Sequence, residues 1–151
     1  MDALDPFPWI DHIQQPPGSS LCAHACLAMI LGISLDEACT LMGHRRKTLT
    51  RELVKALGQN VLGPSLIFIS TEHPIPDTVV LKVNWYTGNK KRRGHFVLKI
   101  GENLHDPMLQ FVVDFHQWIA AATKEGMRIT SFLPVSITLP RRTIDLSNGE
   151  S

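Results

Sequence analysis

The chain has 151 residues, 44% of them hydrophobic, and its 15 Lys and Arg against 14 Asp and Glu leave a formal charge of +1. That size and apolar content suit one domain with a continuous core, and the even charge excludes a general affinity for nucleic acid or acidic membranes, which needs a broad cationic excess. Three cysteines, Cys22, Cys26 and Cys39, exclude an even disulfide framework and favour a reducing compartment.

The N-terminal MDALDPFPWIDH is acidic where a signal peptide would be basic. The longest apolar run near the start, residues 25–33, is far shorter than the roughly 20 residues of a membrane span. The expectation is a cytoplasmic protein with no membrane insertion, or one exported by a dedicated secretion system without a cleaved signal.

Residues 1–20 hold four prolines, including Pro16-Pro17 before Gly18, and should form an extended arm. From Cys22 the apolar pattern predicts a helix to Leu31, closed by Gly32. A second helix follows with Ser34 as its N-cap, Glu37 completing a capping box, and Gly43 as its stop. A third runs through TLTRELVKALG, with Thr50 as cap and Gly58 as stop. Beyond it the period changes. Segments 65–70, 78–86, 95–100, 104–106, 110–115 and 128–139 are rich in β-branched and aromatic residues between Gly, Pro and Asn. They predict strands of one mostly antiparallel sheet, interrupted by an amphipathic helix over 116–126. Helices first and strands later predict an α+β domain over residues 21–139, with the N-terminal helices packed on a curved sheet, and a polar tail over 140–151.

Cys22 stands where the loop QQPPGSS meets the first helix. A thiol there faces the positive end of the helix dipole and several N–H groups without intrahelical acceptors, which favour a thiolate and can bind an oxyanion. Cys26, one turn further in, and Cys39, inside the second helix, read as small core residues. His95 opens an apolar strand directly after a glycine. If Gly101-Glu102 is a two-residue turn, Ile100 pairs with Asn103 and His95 with Met108. Asp106 then becomes a diagonal neighbour of His95 on the same face, at a Cα separation of roughly 7–8 Å. Cys22, His95 and Asp106 are thus a candidate nucleophile, base and orienting carboxylate.

Zinc ligation by Cys22, His24, Cys26, Cys39 and His44 is disfavoured. The spacing lacks loop-borne Cys-x-x-Cys pairs, and His24 points about 200° away from the face shared by Cys22 and Cys26. No metal or other cofactor is expected. The basic run 90–93 reads as a solvated loop, or as a cleft border that attracts an acidic partner. Trp85 and Tyr86 read as sheet core.

A glutamine, a short loop, then Cys opening a helix of the form C-x-x-A-C-L-A-M-I-L resembles the papain-like cysteine peptidases, most closely the double-glycine leader peptidases that process bacteriocin precursors. TRELVKALG, the strand HFVL, Asp-Pro on the next strand and a final helix and strand extend the resemblance over roughly residues 14–138. It implies a papain-like fold with Cys22 as nucleophile, His95 as general base and then acid, and Asp106 as orienting residue. It also implies an oxyanion hole formed by the Cys22 N–H and a glutamine, Gln15 or Gln14. The implied substrate is a peptide or protein, cleaved at a peptide or isopeptide bond of unspecified sequence. A papain-like acyltransferase with the same triad, and a papain-like module that binds a protein partner without catalysis, are the alternatives.

Overall fold

A computed structural model describes residues 9–62, 67–68, 74–86 and 94–138. Three helices come first: α1 (Cys22–Leu31), α2 (Leu35–Met42) and α3 (Thr50–Leu57), the last running into a 3-10 turn at Gly58–Asn60. The strands are β1 (Ile67–Phe68), β2 (Thr78–Trp85), β3 (Gly94–Ile100), β4 (Asn103–His105), β5 (Val113–Asp114) and β6 (Met127–Pro134), with α4 (Phe115–Lys124) between the last two. They form one antiparallel sheet in the order β1-β6-β2-β3-β4-β5, so the architecture is α+β.

Local chemistry accounts for most of the element ends. Gly32 closes α1 at φ 69°, and Gly43 closes α2 at φ 86°, a left-handed conformation that costs glycine little. The Ser34 hydroxyl accepts the Glu37 N–H while the Glu37 carboxylate accepts the Ser34 N–H. The cap of α3 is Leu49 rather than Thr50: Thr50 is already helical, and the Glu52 carboxylate accepts the Leu49 N–H at 2.8 Å.

Of the predicted strand 110–115 only Val113–Asp114 pairs, and it ends there because Asp114 is the N-cap of α4, its side chain accepting the Gln117 N–H. That helix therefore starts at Phe115 and ends at Lys124, earlier than 116–126. The last strand ends at Pro134 rather than 139, with a single further bridge from Val135 to Val61. Of the expected strand 65–70 only Ile67–Phe68 falls within the described residues. The basic run 90–93 and the tail 140–151 lie outside them.

β2 and β3 are covered on both faces, which is why TVVLKVNW and HFVLKI read as near-continuous apolar runs. Val80, Phe96, Leu98, Ile100 and Leu133 face α1, α2 and α3. Val79, Leu81, Val83, Val97 and Phe132 face the other way, where α4 seals them with Phe115, Trp118 and Ala122. α1 is itself buried on all sides, since every residue from Ala23 to Ile30 is inaccessible. The sheet register slips between Lys82 and Val83, leaving Thr130 as an extra residue in β6. Such a bulge re-aims side chains locally.

Residues 9–20 are irregular, as their prolines require, but docked. Ile10 and Ile13 pack on the core, the Gln15 N–H donates to the Pro107 carbonyl at 2.7 Å, and the His12 Nε2–H donates to the Leu109 carbonyl at 2.7 Å.

Candidate active site

Cys22 is the first helical residue of α1. Its predecessor Leu21 offers no side-chain cap, and the first intrahelical bond is Ala25 N–H to the Leu21 carbonyl. The N–H groups of Cys22, Ala23 and His24 therefore have no acceptor within the helix. The Ala23 N–H, with the Phe96 N–H from β3, turns toward the Cys22 sulfur. The helix end supplies donors in place of a capping side chain.

His95 is the second residue of β3, paired with Val83 of β2, and is buried. The Gly101-Glu102 turn joins β3 to β4 in the expected register: Ile100 faces Asn103, and Leu98 faces His105. The expected pairing of His95 with Met108 does not form. The ladder stops at His105, because Asp106-Pro107 turns away and a proline has no N–H to donate. Asp106 nevertheless reaches His95 from beyond the ladder: His95 Nε2 donates to Asp106 Oδ1 at 2.7 Å. Oδ1 also accepts the Met108 N–H at 3.0 Å, and Oδ2 accepts the indole N–H of Trp118 at 3.1 Å. With Nε2 committed to the carboxylate, Nδ1 is the nitrogen left to hydrogen-bond the Cys22 thiol.

The electrostatics follow from these contacts. Burial by itself raises the Cys22 pKa, but the His95 hydrogen bond and charge, with the two N–H donors, outweigh it and bring the thiol below its ordinary value of 9.0. Burial by itself lowers the His95 pKa, but Asp106 and then Cys22 reverse it, to about 9. Burial would raise Asp106, yet His95 and the Met108 and Trp118 donors hold its carboxyl below the usual range. All three shifts run toward the charged forms, thiolate, imidazolium and carboxylate. Cys26, fully buried one turn inward, has its thiol pushed well up by burial and is inert by comparison.

Cys22 lies between two hollows. One, of about 880 Å³, is bordered by the 14–20 loop, Trp85, His95 and Met108. The other, of about 830 Å³, is bordered by the segment before α3 and by residues of β2, β3 and the bulged part of β6. Gln15 and Gln14 both border the first, but Gln15 is buried and Gln14 exposed. One amide N–H of Gln15 donates to the Ser19 carbonyl at 2.8 Å, which ties the proline loop into a fixed arch beside the thiol.

Of the four residues singled out in the sequence, Cys22, His95 and Gln15 border one hollow, and Asp106 is hydrogen-bonded to His95 without bordering it. Trp118 was not among them. An aromatic on the apolar face of α4, in step with Phe115 and Ala122, carries no sign that its N–H is committed to a carboxylate. Trp85 was read as core. It does pack on the α4-side cluster, but its ring also lies 5.9 Å from the His95 ring and borders the hollow. Tyr86 is partly exposed, with the Arg128 guanidinium 5.1 Å from its ring centre.

Neither protein-family models nor curated proteins match this sequence.

Proposed function

We propose that the protein is a cysteine peptidase with a papain-like fold, cleaving a peptide or isopeptide bond through an acyl-thioenzyme. The observation that carries this reading is the continuous chain from Cys22 through His95 to Asp106, with the thiol at a helix end whose N–H groups have no helical acceptor. A Cys opening a helix, with His95 on the strand HFVL and Asp106 before a proline, is also what the family resemblance implies.

In this mechanism the Cys22 thiolate attacks the substrate carbonyl carbon, and the electron pair of the C=O bond moves to oxygen. The Cys22 N–H and the Gln15 amide receive that oxyanion, the amide giving up its longer 3.4 Å bond to the Ser19 hydroxyl. His95, protonated on Nδ1, gives its proton to the departing amine as the C–N bond breaks. Water then attacks the thioester, His95 takes a proton from it, and the acid leaves as the thiolate reforms. Asp106 stays ionised throughout and fixes the ring with Nδ1 toward sulfur.

The test is alkylation of Cys22 by iodoacetamide near pH 6.5, alongside turnover of a peptide mixture followed by mass spectrometry. The native protein should label rapidly and generate new peptide termini. Cys22→Ala should do neither. His95→Ala should label more slowly, by up to about 100-fold, because its thiol loses the partner that lowers its pKa and an ordinary thiol is about one per cent ionised there. Equal labelling of His95→Ala and the native protein would sink the ion-pair reading.

A further inference from the structure

The two hollows beside Cys22 differ in charge. The one bordered by the 14–20 loop carries Glu125 opposite Lys47. The one bordered by β2, β3 and β6 carries Lys47 and Lys82 and no carboxylate among the described residues. Lys82 interrupts the otherwise apolar run of β2. Its position faces the α1 side of the sheet, its ammonium lies 5.8 Å from the centre of the Phe96 ring, and it donates to the Thr50 hydroxyl at 3.2 Å. The stem is therefore laid along apolar surface while the charged end reaches the hollow. Lys47 is exposed on the segment leading to α3. Among the described residues neither ammonium has a carboxylate within ion-pair distance, whereas Arg45 pairs with Asp36 and Arg46 with Glu52. The two cations that border the hollow are thus both without an acidic partner among the described residues.

Gly94 connects these charges to the nucleophile. It directly precedes His95 and borders both hollows, and a Cβ built there would lie 3.5 Å from Lys82 Cε and 4.0 Å from Lys47 Nζ. The two cationic side chains thus converge on the backbone one residue from the base. Asn84, Thr130 and Ser131 add polar groups to a lining that also holds Phe96 and Ile129, and the β6 bulge falls at Thr130.

We infer that this hollow is a carboxylate-binding subsite, with Lys47 and Lys82 selecting substrates that carry an acidic group next to the bond under attack. The inference rests on reading Cys22 as the acyl-accepting thiol. An Asp or Glu side chain and a free chain-terminal carboxylate present the same chemistry to two ammonium groups, and an acidic group gains from both charges without displacing an internal ion pair. Lysine suits this task better than arginine where the anion arrives in variable geometry, since an ammonium imposes no bidentate plane.

Two alkylating agents of nearly equal size test this without any need for turnover. Iodoacetate carries a carboxylate and iodoacetamide does not, so the ratio of their rates at Cys22, located by peptide mapping, reads the local cationic subsite. The native ratio should fall about tenfold in Lys47→Met/Lys82→Met, the sum of two modest exposed pairings. It should also fall in the native protein at 1 M salt, where screening acts over about 3 Å. A ratio unchanged in the double variant, or two rates that fall together, overturns the inference. Should the double variant fail to fold, Lys47→Gln, at an exposed position, should lower the ratio severalfold, and no change there overturns it equally.

Protection of Cys22 from iodoacetamide separates the sources. N-acetylglutamic acid α-amide protecting better than N-acetylglutamine α-amide assigns a side-chain carboxylate, and N-acetylglycine protecting better than its amide assigns a chain terminus. Equal protection by the acids and their neutral amides overturns the inference. Failure of the peptidase reading shows instead as absence of peptide turnover or unimpaired labelling of His95→Ala, with the iodoacetate ratio intact.

Discussion

His95 and His105 sit on adjacent antiparallel strands, ten residues apart, both almost fully buried, and burial pushes both toward the neutral form. Yet the first is raised to about 9 and the second lowered to about 4. The difference lies in the partners, of which Asp106, ahead of Cys22, does most to raise His95. His95 meets the Asp106 carboxylate at 2.7 Å, while His105 meets another imidazole, His12, with the two Nδ1 atoms 3.1 Å apart and the rings stacked. Because His12 uses its Nε2–H on the Leu109 carbonyl, its neutral ring accepts at Nδ1 and His105 donates. A second proton on the pair has no anion to receive it. Desolvation is common to both sites, so the nearest charge, rather than burial, separates an acid–base group from a structural one.

Asp106→Asn breaks the comparison most severely, because it gives His95 the kind of neutral partner His105 has. The His95 pKa should fall, the Cys22 thiol should rise toward its ordinary value, and peptide turnover should drop about 10²–10⁴-fold. The pH dependence of iodoacetamide labelling checks the cause: the variant's rate should climb only as the free thiol ionises. Retention of rapid labelling at pH 6.5 would show that Asp106 is not what charges His95.

Stability against pH should separate the two histidines next. His105 is depressed in the folded state, so the unfolded chain binds the extra proton more readily, and its contribution is present above about 6.5 and lost as pH falls toward about 4. The loss is at most about 3 kcal/mol from the full shift. His95 is raised, so its contribution is present below about 6.5 and lost as pH rises through about 9. Urea unfolding of His105→Phe across pH 4–7 should show a flatter acid limb than the native protein. A smaller change follows from His12→Asp, which puts a carboxylate beside His105: its pKa should rise by one unit or more, read by NMR titration of its ring. An unmoved His105 would mean that burial alone governs it.

The parts of this site that could be read from the sequence are those set by local rules. Cys22 at a helix start follows from the loop prolines and the apolar run after it, and the register of Ile100 with Asn103 follows from a Gly-containing two-residue turn. Both depend on neighbours in the chain. Trp118, His12 and Lys47 act across the fold, and nothing near them in sequence marks that role. Lys82 is intermediate: a cation inside an apolar strand is a local anomaly that could have been followed. The misread elements have the same origin. Phe115 looks like the end of a strand until the Asp114 side chain is seen capping α4 before it, and Thr50 looks like a cap until Glu52 is seen reaching back to Leu49.

Trp118→Phe gives the finest test of the contrast, since it keeps an aromatic ring and the Asp106 carboxylate while removing the indole N–H at 3.1 Å from Oδ2, together with some buried ring volume. Two donors, His95 and the Met108 N–H, remain on Oδ1. Asp106 should lose part of its hold on the proton-free form, so its pKa should rise, but it should stay ionised at neutral pH. The folded state should lose about 1 kcal/mol, the usual net value of one such bond. Because the carboxylate remains charged, labelling of Cys22 should slow less than about fivefold, far less than in Asp106→Asn. If Trp118→Phe instead matched Asp106→Asn, the indole would be orienting the carboxylate rather than adding one donor to it. The charge on His95 would then depend on α4 as much as on the β3–β4 hairpin.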